Sequence, residues 1–186
     1  MSGRFENLTL DSIDIPVTKL AGILAVVWKE GKFPLLLLSG KMGSGKTTFV
    51  SKLVKALLDQ LKPGLDKSKL FVNSPTYTLM NEYPFLEIRN QFGDPLEIFH
   101  FDLYRIGSSE EIPDLGFEEY WNGKGISLIE WWEKAEPEFN DRKFRIKINL
   151  EEADEDTRNL LITFLGEEWR RPDLQIEPFL KSEKIL

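Results

Sequence analysis

The spacing of apolar residues between positions 16 and 61 predicts two amphipathic helices with a buried strand between them. Apolar side chains recur every three or four residues over 16–29 and again over 47–61, which is the period of a helix with one buried face. Residues 35–38 are four consecutive leucines, a pattern typical of a strand that helices cover on both faces. We therefore expect an α/β fold with parallel strands.

The remainder of the chain is rich in strand patterns. Five segments have the apolar runs or the alternation of strands: residues 77–83, 96–104, 126–129, 143–150 and 160–165. We expect a hairpin loop around residues 93–95 between the first two segments, and pairing of the last two across an acidic turn. Residues 108–121 predict a helix that is interrupted at Pro113 and Gly116.

Composition excludes several classes of protein. The chain has no Cys and one His, which excludes disulfide-built scaffolds, thiol catalysis, cysteine zinc sites and multi-histidine metal sites. With 24 basic and 31 acidic residues the net charge is −7, which argues against a surface that binds nucleic acid or anionic membrane over its whole extent. Neither a signal-peptide pattern nor an apolar run near the ~20 residues of a membrane span is present. We therefore expect a cytoplasmic protein with no membrane contact.

The strongest motif lies between the leucine strand and the second helix. Residues 40–47 spell GKMGSGKT, which matches the P-loop pattern G-x-x-x-x-G-K-[ST] and predicts nucleotide binding. The glycines let the backbone present its N–H groups to phosphate oxygens, and the helix that begins here adds the positive end of its dipole. Lys46 supplies charge to the phosphates, and the Thr47 hydroxyl can ligate Mg²⁺. The residues expected to contact the nucleotide are Lys41, Met42, Gly43, Ser44, Gly45, Lys46, Thr47 and Thr48.

Two acidic residues come directly after apolar strands. Asp102 follows IFHF and Glu130 follows ISLI, and a P-loop enzyme needs such an acid to hold Mg²⁺. The sequence leaves open which of the two contacts the metal and which orients the attacking water. Thr76, in the turn NSPT, is a candidate for the group that senses the γ-phosphate.

The sequence says less about the roles of His100, Trp131 and Trp132 and about the exposure of Lys46. His100 lies in an apolar strand with no second His in the chain, which favours a structural role over metal binding or catalysis. Trp131 and Trp132 follow Glu130 and suit either a site wall or interface, or packing in the core. We expect the Lys46 side chain to face solvent before nucleotide binds.

These motifs, in this order, resemble the TsaE family (also called YjeE), small P-loop ATPases of bacterial tRNA threonylcarbamoyladenosine synthesis. The matching segments are GKMGSGKTTF (40–49), NSPTYTLMNEY (73–83), HFDLYRI (100–106), EEIPDLGFEEYW (110–121) and ISLIEW (126–131). The resemblance runs to about residue 166, so we expect one P-loop ATPase domain at 1–166 and a C-terminal extension at 167–186. Trp169 and Phe179 are candidates to dock that extension.

The resemblance implies a P-loop three-layer α/β sandwich with a mixed, mainly parallel sheet. It implies that the protein binds ATP and Mg²⁺ and hydrolyses ATP weakly alone. It further implies that the protein joins TsaD and TsaB, which modify an adenosine beside the tRNA anticodon. On this basis the protein meets tRNA only indirectly, through the complex.

The resemblance also assigns roles to individual residues. It implies that Lys46 binds phosphate, that Thr47 ligates Mg²⁺ and that Thr76 is a switch-like threonine. It also implies that Asp102 and Glu130 are the essential acids, with Glu130 linked to Mg²⁺ and Asp102 a second candidate for the metal.

One further match and two departures concern the edges of the site. Thr18, in the first helix, matches a family threonine near the adenine. The family usually has Asp-Leu where this chain has Lys41-Met42, which adds positive charge beside the phosphates. Pro commonly follows the tryptophan of IEW, and here that residue is Trp132.

Two other classes of function stay open at this point. A small-molecule kinase would use the same P-loop, but such enzymes usually carry arginines in a lid, and the only adjacent Arg pair is Arg170-Arg171 in the tail. The other class is a GTPase switch or a noncatalytic nucleotide-dependent binding module, although the guanine-reading N-K-x-D signature is absent. Phosphoryl transfer to an added acceptor would identify the first class, and a preference for guanine would identify a GTPase.

Overall fold

A computed structural model describes residues 1–177 and the backbone of residues 183–184. The strands are β1 (Ser2–Leu8), β2 (Leu35–Ser39), β3 (Met80–Arg89), β4 (Pro95–Asp102), β5 (Ile126–Glu130), β6 (Arg145–Glu152), β7 (Arg158–Leu165) and β8 (Glu183–Lys184). In the described residues they form one sheet with the order β3-β4-β5-β2-β6-β7-β1-β8. No helix within this part of the chain is long and apolar enough to cross a bilayer.

The centre of the sheet is parallel and its flanks are mostly antiparallel. β4, β5, β2 and β6 run parallel to one another, whereas β3 and β7 pair antiparallel with this centre and β1 pairs antiparallel with β7. This mixed sheet with a parallel centre confirms the predicted fold class. Because parallel strands end at one edge of the sheet, the residues that follow β2, β4 and β5 come together there.

Helices cover both faces of the sheet. They are α1 (Asp14–Lys29) and α2 (Lys46–Leu61) on one face, and α3 (Ile112–Leu115), α4 (Glu118–Trp121) and the 3₁₀ helix Trp132–Phe139 on the other. Successive leucines of residues 35–38 belong alternately to the two hydrophobic cores. The unbroken leucine run is therefore explained by a strand that is buried from both sides, as predicted.

The first strand of the β3–β4 hairpin begins and ends later in the sequence than predicted. β3 begins at Met80 and not at residue 77, because the Leu79 N–H donates to the Pro75 carbonyl and closes a turn. The strand then continues past Pro84. Proline has no N–H to donate, and β3 tolerates it because, in the described residues, β3 is an edge strand that pairs with another strand on one side only. The loop around residues 93–95 closes the hairpin as predicted.

The segment at residues 108–121 is helical in pieces, but Pro113 does not break it. Pro113 lies in the first turn of α3, where a helix does not need the missing N–H. Gly116, with φ of 65°, ends α3 in the left-handed conformation that favours glycine. The interruption therefore comes from the glycine.

The two ends of the chain pack beside each other on the sheet. β1 was not predicted, since its partner β7 lies far along the chain and its own pattern is short. Trp169 is fully buried against Phe144 and Phe164, and its indole N–H donates to the Arg145 carbonyl at 3.0 Å. Trp169 therefore docks the segment after residue 166, as expected. Phe179 lies outside the described residues, and the domain boundary at residue 166 stays a prediction.

Candidate functional site

The loop between β2 and α2 is tightly folded around two of its glycines. A Cβ atom on Gly40 would lie 2.5 Å from the Leu150 carbonyl oxygen and 2.6 Å from the Ser44 hydroxyl, closer than any side chain allows. Gly45 has φ of 97° and forms the N-cap of α2, where a side chain would be strained. The close approach at Gly40 and the positive φ at Gly45 explain why both positions are glycine.

The amino end of α2 presents a positive surface. Its N-cap residue, Gly45, makes no side-chain capping bond, and its first turn contains no acidic residue. The first N–H groups of a helix have no partner within the helix and carry the positive end of its dipole. This end of α2 is therefore suited to phosphate oxygens.

Lys46 is folded back into its own loop. Its ammonium donates to the carbonyls of Gly40 at 2.9 Å and Lys41 at 3.0 Å, and it lies 4.3 Å from the centre of the Trp131 ring. The residue is only 5% exposed, so the expectation of a solvent-facing lysine is wrong. Burial lowers the pKa of this ammonium, and attraction from the nearby carboxylates, chiefly that of Glu130, opposes the shift.

Trp131 and Trp132 take the two roles that the sequence left open. Trp131 has φ of 59°, a strained conformation for a bulky residue that is found most often at functional sites. Its ring lies over Lys46 and 5.1 Å from the ring of Tyr104. Trp132 is buried, and its indole N–H donates to the Ser39 hydroxyl at 2.8 Å. The first tryptophan is therefore a wall of the site and the second belongs to the core.

Glu130 joins the P-loop helix to the neighbouring strand. Its carboxylate is buried, and Oε1 accepts hydrogen bonds from the Thr47 hydroxyl at 2.8 Å and from His100 Nε2 at 2.9 Å. A hydroxyl and a carboxylate are oxygen ligands of the kind that Mg²⁺ prefers. Thr47 and Glu130 are therefore residues that could hold a magnesium ion.

Asp102 instead holds the loop that precedes β3. Its Oδ2 accepts hydrogen bonds from the hydroxyls of Ser74, at 2.8 Å, and Thr76, while Oδ1 accepts the backbone N–H of Tyr104 at 3.0 Å. The two hydroxyls also contact each other at 2.6 Å. Thr76 is thus directed at Asp102, and not at open solvent.

The two carboxylates lie at the same height in the sheet. Asp102 and Glu130 are direct partners in the β4–β5 register, which places both at the edge where the P-loop begins. A cavity of about 290 Å³ opens between them and the loop. It is lined by Met42, Gly43, Gly45, Lys46, Thr47, Thr48, Ser74, Thr76, Asp102, Tyr104, Glu130 and Trp131. Most of the predicted site residues therefore share one cavity.

A second cavity, of about 250 Å³, lies on the opposite side of the P-loop. It is lined by Leu8, Thr9, Leu10, Ile13, Gly43, Ser44, Gly45, Thr48, Leu150, Glu155, Asp156 and Arg158. This cavity borders the P-loop at Gly43, Ser44, Gly45 and Thr48 and has several apolar walls, so it could hold the planar base of a nucleotide. Thr18 is exposed on α1 and is not among the residues that line either cavity.

Two remaining P-loop residues contact the site less directly. Lys41 is exposed, and it contributes its backbone carbonyl to Lys46. Ser44 is buried at the base of the loop, and its hydroxyl has no hydrogen-bond partner among the described residues.

Sequence reasoning missed three contributors to the site. Ser74 had a signal, because a serine two residues before Thr76 in one turn can present its hydroxyl to the same acceptor. Tyr104 contributes a backbone N–H, which no side-chain pattern reveals. Thr9 lies in the loop between β1 and α1 and borders the second cavity, where no sequence motif marks it.

Comparisons with known proteins agree with this architecture. A family model described as threonylcarbamoyl adenosine biosynthesis protein TsaE matches residues 15–160. The chain is similar to TsaE of Bacillus subtilis strain 168, with 32% identity over 147 residues that cover 79% of this chain and 78% of that protein. It is 36% identical to TsaE of Haemophilus influenzae over 145 residues, which cover 76% of this chain and 77% of that protein.

A solved structure supports the same conclusion. The crystal structure of YdiB from Bacillus subtilis aligns with a TM-score of 0.62 and 25% identity, and the alignment covers 95% of this chain and 93% of YdiB. The family match spans most of the chain and includes the P-loop, both strand-end carboxylates and Thr76. From these matches, the chain belongs to the TsaE family of threonylcarbamoyl adenosine biosynthesis proteins.

Proposed function

We propose that this protein is a Mg²⁺-dependent ATPase that assists TsaB and TsaD in the synthesis of threonylcarbamoyladenosine on tRNA. One observation carries this proposal. The Thr47 hydroxyl, at the head of a phosphate-binding helix, donates to the buried carboxylate of Glu130 inside a cavity that also contains Asp102 and Thr76. Phosphoryl transfer to water uses a loop and lysine that hold the phosphates, a hydroxyl and an acid that hold Mg²⁺, and a group that orients the attacking water. This cavity contains a candidate for each part.

The P-loop side of the cavity would hold the nucleotide. The N–H groups at the start of α2 and the Lys46 ammonium face the same cavity and would bind the phosphates. Two of the three ammonium hydrogens are bound to loop carbonyls, so Lys46 is already oriented when a phosphate arrives.

Magnesium would be held by Thr47 and Glu130 together with the nucleotide. In the described part of the chain no three His, Asp or Glu side chains form a ligand cage, so phosphate oxygens and water would complete the coordination. When bound, Mg²⁺ neutralises charge on the phosphate oxygens. Glu130 keeps the Thr47 hydroxyl turned toward its own carboxylate, which leaves the hydroxyl lone pairs for the ion.

Asp102 and Thr76 would act at the γ-phosphate end. Asp102 is a carboxylate within reach of two hydroxyls and a backbone N–H, so it can equally accept a hydrogen bond from an attacking water. Thr76 lies in an exposed turn and can exchange its bond to Asp102 for one to the phosphate or the metal. The loop would then report whether the γ-phosphate is present.

The cellular role is inferred from the family. The names of the relatives place them in threonylcarbamoyladenosine biosynthesis, and a net charge of −7 fits a subunit that leaves tRNA contact to its partners. We infer a cytoplasmic location on the same basis.

The arginines that a kinase lid would need are occupied elsewhere. Arg171 donates to both carboxylate oxygens of Glu30 at 2.6 and 2.7 Å, and Arg170 pairs with Glu167. Neither arginine lines the cavity at the P-loop. The kinase interpretation therefore gains no support from this site.

The test is ATP hydrolysis with Mg²⁺ in the presence and absence of the cognate TsaB–TsaD pair. We expect the pair to stimulate hydrolysis and Glu130→Ala to abolish the stimulated rate. Glu136→Ala is the matched control, because Glu136 is an exposed carboxylate in the next helix. Absence of both stimulation and co-elution with the pair would contradict the proposal, and phosphoryl transfer to an added alcohol would favour a kinase.

A further inference from the structure

We propose that His100 is a positioning residue that fixes the rotation of the Glu130 carboxylate. His100 is the only histidine of the chain and is fully buried in β4. Its Nε2 lies 2.9 Å from Glu130 Oε1, the same oxygen that accepts the Thr47 hydroxyl. The inference deepens the proposed function and rests on it for its effect on hydrolysis.

A histidine that served only for packing would destabilise the fold at this position. The other ring nitrogen, Nδ1, is buried and has no hydrogen-bond partner among the described residues. Ile98, two residues earlier on the same strand face, and Leu128, the register partner of His100, are both apolar core residues. An aliphatic side chain would fill this place without burying an unpaired nitrogen. The one polar contact of the ring is therefore what the imidazole adds to the fold.

That contact fixes a carboxylate that Thr47 alone would leave free to turn. A hydroxyl can follow the carboxylate as it rotates, whereas an imidazole packed in a sheet cannot. With Oε1 receiving both donors, Oε2 has no hydrogen-bond donor within the described part of the chain. His100 thereby separates the two oxygens, so that Oε1 orients Thr47 and Oε2 would be available to the magnesium ion. Since Nε2 contacts a carboxylate, we assign the ring hydrogen to that nitrogen.

Replacement by leucine removes the donor and keeps a buried side chain of similar size. Residues that orient a metal-binding group commonly change metal affinity or activity 10- to 100-fold when they are replaced. For His100→Leu we expect the Mg²⁺ concentration at half-maximal binding of a non-hydrolysable ATP analogue to rise about 10-fold. In the complex with TsaB and TsaD we expect kcat to fall by about 10- to 100-fold, with little change in nucleotide affinity in the absence of Mg²⁺.

Two amide variants separate positioning from packing. The longer amide of His100→Gln can place an N–H near the position of Nε2, and the shorter amide of His100→Asn cannot. We expect glutamine to restore the Mg²⁺ dependence to within about 3-fold of wild type, and asparagine to resemble leucine. This pair decides the question even if the leucine variant does not fold.

Ile98→Ala is the control for lost core packing. It makes a cavity on the same strand face, so it should lower Tm and leave the Mg²⁺ midpoint unchanged. The inference is wrong if His100→Leu keeps the wild-type Mg²⁺ midpoint and kcat, or if glutamine and asparagine behave alike. If the wild-type complex does not hydrolyse ATP, the proposed ATPase function fails, and the Mg²⁺ midpoint of analogue binding alone decides the role of His100.

Discussion

Glu130 and Asp102 occupy equivalent positions at the ends of adjacent parallel strands, yet their carboxylates bind different parts of the molecule. Glu130 receives its hydrogen bonds from Thr47 in α2 and His100 in β4, both in regular elements. Asp102 receives its side-chain bonds from Ser74 and Thr76 in the loop before β3. That loop includes a strongly exposed aromatic residue, Tyr77, at 86% exposure.

The difference shows that partners, and not position in the sheet, distinguish the two acids. A carboxylate held by a helix and a strand keeps one geometry and suits a metal site. A carboxylate held by loop hydroxyls can exchange them for other donors when the loop moves. We therefore expect Glu130 variants to change the response to Mg²⁺, and Asp102 variants to change the rate of hydrolysis and the mobility of the loop.

The largest effect should come from Glu130→Gln, which keeps the shape of the side chain and removes its charge. In the complex with TsaB and TsaD we expect kcat to fall by about 10²- to 10³-fold, the range for losing one preorganised electrostatic group. The Mg²⁺ concentration needed for half-maximal activity should rise. Steady-state hydrolysis across a Mg²⁺ series measures both values. A variant with the wild-type rate and Mg²⁺ midpoint would remove Glu130 from the mechanism.

The Asp102→Asn variant should hydrolyse ATP nearly as slowly as Glu130→Gln, but its dependence on Mg²⁺ should differ from that of Glu130→Gln. We expect kcat to fall about 10²-fold, because an amide accepts a water proton poorly. The affinity for an ATP analogue and its Mg²⁺ dependence should stay within about 3-fold of wild type. Asp102 is proposed to act on the attacking water, so it contributes in the transition state and not to binding of the nucleotide. Calorimetric titration with the analogue provides the comparison, and a large loss of affinity would contradict the division of roles.

A smaller effect is expected from the loop hydroxyls. Thr76→Val should lower kcat about 10-fold, which is less than the ~10²- to 10⁴-fold effect of losing a general acid or base, because Asp102 itself remains. Ser74→Ala should have less effect. Without its bond to Asp102, the segment at residues 72–79 should exchange its amide hydrogens faster. Thr78→Val is the matched control, because the Thr78 hydroxyl contacts Pro75 and Asn81 and not Asp102. Unchanged exchange in Thr76→Val would show that Asp102 does not hold the loop.

The smallest effect should come from Arg171→Ala, which lies outside both clusters. Hydrolysis should be unchanged, and the free energy of unfolding should fall by about 1 kcal/mol or less, as for a partly exposed ion pair. Hydrogen bonds from Arg171 lower the pKa of Glu30 in the folded protein. The stabilisation is therefore present above the ordinary pKa of Glu and is lost as the pH falls through the lowered folded value. The difference in Tm between wild type and variant should disappear on acidification, and a constant difference would assign the effect to packing.

The sequence predicts the regular elements of the centre well. The leucine run of β2, the amphipathic pattern of α2 and the P-loop between them depend on local residue choice, and each forms where its pattern indicates. The strand-end acids follow from the same logic, since parallel strands end at one edge.

Contacts between distant segments could not be predicted. β1 forms by pairing with β7, whose residues lie about 150 positions later in the sequence. The contact between His100 and Glu130, at 2.9 Å, is likewise not visible in the sequence, because the two residues lie on different strands. The burial of Lys46 in α2 follows from a residue far along the chain, because the ring that covers it belongs to Trp131, directly after β5. In each case the deciding partner lies far along the chain.

The most direct test of these roles compares the Mg²⁺ dependence of ATP-analogue binding in wild type, Glu130→Gln and Asp102→Asn. We expect the Mg²⁺ midpoint to rise in Glu130→Gln and to stay near wild type in Asp102→Asn, while both variants lose hydrolysis in the complex. A shift of similar size in both variants, or a shift in Asp102→Asn alone, would contradict the division of roles between the two carboxylates.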